Sequence, residues 1–112
     1  MKIKPFYLRS LADLPLEREE FLSRLERAIA FFASLYGRDG MREPGEPRMA
    51  SAPLELDGEC PVSELWSEAL LLYMEYLTRG DGDAYTRALA SAEGAYRALW
   101  RRRAGGKRLK TR

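Results

Sequence analysis

The chain has 112 residues, 46% of them hydrophobic and 32% charged, a size and composition that fit one soluble domain around a single core. One cysteine, Cys60, and no histidine exclude an internal disulfide, a Cys/His zinc site, a Ser-His-Asp or Cys-His pair and a histidine proton shuttle. The net charge of +2 is unevenly spread: eight cations and no acid lie beyond residue 96, and the residues before that carry 11 cations and 17 acids, so an acidic body bears a basic tail.

The opening MKIKPFYLRSLADLPLE lacks the apolar stretch and small-residue cleavage site of a signal peptide. The longest apolar run, Ala69 to Met74, falls far short of the roughly 20 residues that span a bilayer, so the chain reads as intracellular with no membrane partner. Residues 15–36 place Phe21, Leu22, Leu25, Ala28, Ile29, Phe32, Leu35 and Tyr36 at helical spacing. Asp13 as a cap, Pro15 in the first turn and Glu17, Glu19 and Glu20 near the positive end mark the start of this helix, Gly37 marks its stop, and Glu20 and Arg24 form an i, i+4 pair.

Residues 37–53, GRDGMREPGEPRMASAP, have no apolar period and read as a long loop. Residues 53–57, PLELD, alternate like one short strand, with Lys2 to Leu8, the loop or a neighbouring subunit as the available mates. Residues 61–79 predict a second helix, started by Pro61 or Ser63 and ended by Gly80. Its polar stripe is narrow, so it belongs at the centre of the fold or under another chain. Asp81 or Asp83 caps a third helix over 84–103, whose alanines permit close helix approach and whose Glu93 and Arg97 pair. Gly105 and Gly106 end the predicted order, and KRLKTR reads as an unstructured tail. The expected fold is mainly α: a small bundle of three principal helices, one domain over 1–103 with a loop or arm at 37–60 and a short β segment, then a basic tail over 104–112.

Chemistry is sparse. Asp81 and Asp83 begin like a calcium loop, but Tyr85, Thr86 and Arg87 occupy later positions and no Glu closes it, so capping is the reading. Glu64, Glu68 and Glu75 lie near one stripe and read as solvated or subunit-facing, with nothing to mark an apolar cleft that would raise a carboxyl pKa. No phosphate-loop motif occurs. Tyr73, Met74, Tyr76, Tyr85, Tyr96 and Trp100 fit a core at helical spacing, with base stacking as the alternative. A single helix pair around a Gly-Asp turn does not make a tetratricopeptide array. No catalytic residue, metal site or cofactor is expected. The candidate contact residues are Arg101, Arg102, Arg103, Lys107, Arg108, Lys110 and Arg112 in the tail and Arg42, Arg48, Met49, Leu54 and Leu56 in the arm. The tail cations suit phosphates, an acidic protein surface or mere solubility.

The helix FLSRLERAIAFFASLYG (21–37), the loop leading to PLELD (53–57) and the hairpin SELWSEALLLYMEYLTRGDGDAYTRALASAEGAYRALW (63–100) together resemble the head-tail connector, or adaptor, proteins of tailed bacteriophages. The resemblance spans about 80 residues and rests on pattern and length. It implies a non-enzymatic virion protein, assembled in the host cytoplasm into a ring, usually of twelve copies. Such a ring docks on the portal protein, receives the next stopper or tail protein and lets DNA pass through its lumen, with possible non-specific DNA contact. It also implies that residues 104–112 clasp the portal. The alternative is a small helical nucleic-acid-binding or regulatory protein that uses its basic C-terminal tail.

Overall fold

The computed structural model describes residues 1–44 and 53–111, with backbone alone for 103–111. The fold is mainly α: α1 spans Ile3–Ser10, α2 Arg18–Tyr36, α3 Ser67–Arg79 and α4 Gly82–Thr111, with a 3-10 turn at Glu64–Trp66 leading into α3.

The first helix is a departure from the expected strand mate. Ile3, Phe6 and Ser10 recur at helical spacing and are buried, and Pro5 sits in the first turn, where its missing N–H costs nothing. Phe6 and Tyr7 meet the Phe21 ring of α2 edge-on at 5.6 and 4.8 Å, and the Tyr7 hydroxyl donates to the Leu16 carbonyl at 2.8 Å. Asp13 does not cap α2. It lies in the turn that follows α1, its N–H donating to Ser10 O at 3.1 Å, and α2 begins after Glu17 with no side-chain cap. Glu19 and Glu20 stand in the first turn of α2, where its dipole favours them. The Glu20–Arg24 pair forms at 2.9 Å, and Gly37, at φ 76°, ends the helix.

The expected strand at 53–57 does not form. Among the described residues the only β pairing is an isolated antiparallel bridge between Lys2 and Glu59. Pro53 has no ladder donor, and the Gly58 N–H turns back onto Glu55 O at 3.0 Å, so the alternation is spent on a turn. The segment is held by the chain start instead: the Met1 amino group donates to the carbonyls of Cys60 at 3.0 Å and Val62 at 3.2 Å, and Cys60 N–H donates to Met1 O at 2.7 Å.

The core lies where α2, α3 and α4 meet, around fully buried Trp66, Phe21, Phe32, Leu25, Leu70, Met74 and Leu99. Trp66 packs on Phe32 and Tyr36, with ring centroids 5.5 and 5.4 Å apart. The apolar α3 is the central helix, in contact with both α2 and α4. Gly80 in the left-handed region (φ 68°) reverses the chain, and the side chain of Asp81 accepts from Asp83 N–H at 3.0 Å to cap α4. Ala84, Ala88, Ala92 and Ala95 are all buried, so α4 approaches α3 closely along this side. The third helix does not stop at 103: its backbone stays helical through Gly105 and Gly106 to Thr111.

Candidate interaction site

Thirteen residues make α3 about 20 Å long and thirty make α4 about 45 Å, so the last part of α4 outruns its partner helix. At that point three residues far apart in sequence converge. Arg102 Nη1 donates to both carboxylate oxygens of Glu43, at 2.8 and 2.7 Å, and the Ser63 hydroxyl donates to Glu43 Oε1 at 2.6 Å. The same Ser63 oxygen accepts from Leu65 N–H at 3.2 Å, capping the 3-10 turn, and Ser63 N–H donates to Met41 O at 2.8 Å. One buried serine thus fixes the start of the α3 segment and the carboxylate that holds α4. The Ser63 hydrogen bond, with the Arg102 charge behind it, holds the Glu43 carboxyl below the usual range against the opposing effect of burial.

Of the predicted tail residues, Arg101 and Arg102 are exposed on α4. Arg103, Lys107, Arg108 and Lys110 stand on its helical backbone, and Arg112 lies outside the described residues. Trp100 projects beside this run at 57% exposure. In the arm, Arg42 pairs with Asp39 at 3.0 Å, and Arg48 and Met49 lie outside the described residues. Leu54 and Leu56 are partly buried against the chain's own core, and Leu54 N–H donates to Glu26 at 3.2 Å. Among the described residues, Arg102 and the Glu43 beside Arg42 bring the two predicted groups together. The sequence marked Ser63 as a helix start, as its cap on Leu65 N–H shows, but no signal marked Glu43 or joined either residue to Arg102, 59 and 39 positions away.

On another face, the rings of Phe31, Tyr73, Tyr76 and Tyr85 form a half-buried cluster, with Phe31 stacked on Tyr73 at 4.4 Å and Tyr76 against Tyr85 at 4.9 Å. Burial, and then the two neighbouring phenols, push the Tyr73 hydroxyl above its ordinary value. Glu64 and Glu68 are exposed, and Glu75 pairs with Arg79 at 3.1 Å, so these carboxylates do not converge on one site. Burial pushes the Cys60 thiol up to about 11. Its thiolate is therefore scarce at neutral pH. Among the described residues no group of three or more Asp, Glu or Cys side chains is placed to hold a metal, and no helix is long and apolar enough to cross a membrane.

Comparison of the chain with protein-family models, curated proteins and solved structures gave no match.

Proposed function

We propose that this chain is a structural head-tail connector (adaptor) protein of a phage particle, a copy in a ring that docks on the portal and links it to the next stopper or tail protein. The observation that carries the reading is the basic end of α4: a helix that outruns α3 and presents Trp100 and Arg101 to solvent, next to a body without a metal cluster among its described residues. Exposed tryptophan and arginine are the residues that most often anchor a protein interface, and a preformed helix loses little entropy on docking. The sequence resemblance supplies the partner class, and the helix–hairpin arrangement of α2, α3 and α4 agrees with it. In this reading the acidic body faces a lumen through which DNA slides, because like charges keep phosphates from sticking.

Light scattering on the purified protein, alone and with a portal ring, tests the proposal. A discrete ring, or a monomer that joins the portal stoichiometrically and loses that ability when residues 104–112 are removed, is the expected result. A monomer indifferent to the portal overturns it.

A further inference from the structure

We infer that the face of α4 carrying Arg97, Trp100 and Arg101 binds single-stranded nucleic acid, with the Trp100 indole stacking on a base and the arginines meeting phosphates. The inference rests on α4 and its charges and needs no portal, but docking through the same Trp100 and Arg101 would exclude nucleic acid from this face.

Three observations lead to it. The first is that Trp100 is 57% exposed while Leu99 beside it is 1% exposed. The helix has turned its other side into the core, and the indole is left as an open π face on solvent. The second is register. Positions 97 and 101 form a stripe, one turn apart on the side opposite Leu99, with Trp100 on the flank between them. No acid follows Glu93 anywhere in the chain, so nothing beyond that point repels a phosphate backbone. The third is that Arg102 points away from this stripe and is pinned to Glu43 at 2.7 Å. That contact ties α4 to the body, so the stripe is held in place before any ligand arrives.

The chemistry favours a single strand over other polyanions. A base in a duplex is already stacked on both faces and has no surface to offer Trp100, whereas a single strand has one at every nucleotide. An anionic membrane requires a broad apolar helix face, and here the large apolar neighbour, Leu99, is already committed to the core. A run of carboxylates offers the arginines charge but the indole no π face, whereas every nucleotide of a single strand offers both a phosphate and a base. Glu93 bounds the stripe at its start, where it pairs with Arg97 at 2.6 Å on an exposed surface.

The test uses the full chain and a fluorescein-labelled oligo(dT), read by anisotropy and by quenching of the long-wavelength tryptophan emission, which belongs to exposed Trp100 because Trp66 is fully buried. Binding that quenches this emission is expected. Trp100→Ala should weaken it about tenfold or more, with partial recovery in Trp100→Phe. Arg101→Ala should lower the slope of log affinity on log salt by about one, and Glu93→Gln should tighten binding a few-fold by freeing Arg97. Circular dichroism checks that each variant is folded, as the exposure of these side chains predicts. The inference is overturned by oligo(dT) binding that Trp100→Ala leaves unchanged, or by no binding at low salt. It is also overturned if phosphatidylserine vesicles or poly-glutamate quench Trp100 while oligo(dT) does not.

Discussion

Between Ala84 and Ala95, α4 presents four alanines to α3 and buries them all, whereas from Arg97 onward it carries cations and an exposed tryptophan, with Leu99 the last buried position among the described residues. The first half is held by many weak contacts that no single polar partner controls. The second is held to the body, among the described residues, through Leu99 and one ion pair, Arg102 with Glu43. A helix can thus be core at one end and surface at the other without a break in its backbone, and the two ends should respond to different perturbations.

The largest effect should come from the buried end. Trp66→Ala removes the biggest fully buried side chain, which touches Phe32 and Tyr36, and should cost about 3–5 kcal/mol in urea unfolding. Trp66→Phe should cost clearly less, because the phenyl ring refills most of the cavity, and the indole N–H that both variants remove has no hydrogen-bond partner among the described residues. Equal losses in the two variants would mean that the phenyl ring does not fill the space left by the indole. Neither substitution should alter how the basic end of α4 meets a ligand, apart from the loss of fold itself.

A second probe is pH. The Cys60 thiol titrates near an ordinary 9.0 in the unfolded chain and at about 11 in the folded one. Below pH 9 it is protonated in both states. Between the two values the unfolded chain gives up a proton that the folded chain keeps, so stability falls as pH rises, by about 1.4 kcal/mol per unit at most. Comparing wild type with Cys60→Ala from pH 8 to 11 isolates this slope from tyrosine and lysine titration. A thiol that reacts with a disulfide reagent at its unfolded rate would show that the Met1–Cys60 contact is open in solution.

Gly94 stands where the two halves of α4 join, and a methyl group there would meet nothing within 4 Å. Gly94→Ala should therefore stabilise the protein by about 0.5–1 kcal/mol, read as a rise in Tm, because glycine loses more freedom in a helix interior than alanine does. A fall in Tm would mean that another surface packs on this point.

Much of the buried region was legible in the sequence. The spacing of Phe21, Leu25, Ile29 and Phe32 predicts α2, and Gly80 with Asp81 predicts the α3–α4 turn, because both signals are local. The misreadings share a cause. Ile3–Ser10 is eight residues long, too short for periodicity to outweigh its resemblance to a strand mate, and PLELD alternates like a strand although Pro53 and the turn at Gly58 prevent a ladder. Gly105 and Gly106, each about 1 kcal/mol worse than alanine in a helix, read as a stop, yet the backbone continues through them. The contact of Arg102 with Glu43 spans 59 positions, a distance over which no pattern in one sequence pairs residues.

That contact gives the smallest effect and the sharpest separation of the two halves. Arg102 is 54% exposed at the pair and Glu43 is 28%, so a double-mutant cycle with Glu43→Gln and Arg102→Ala should give a coupling of about 0.2–1 kcal/mol, weaker in high salt. Because the Glu43 carboxyl is held below its usual 4.5, its contribution is present above that value and is lost as pH falls through the folded pKa. Ser63→Ala should cost more than Glu43→Gln, since it removes the Glu43 hydrogen bond and the cap on Leu65 N–H together. Amide hydrogen exchange then locates the change. In Glu43→Gln, protection should fall around Arg101 and Arg102 and stay as it was at Ala88 and Ala92. Loss of protection along the whole of α4 would show that the ion pair supports the alanine-lined half as well, and that the helix behaves as one cooperative unit.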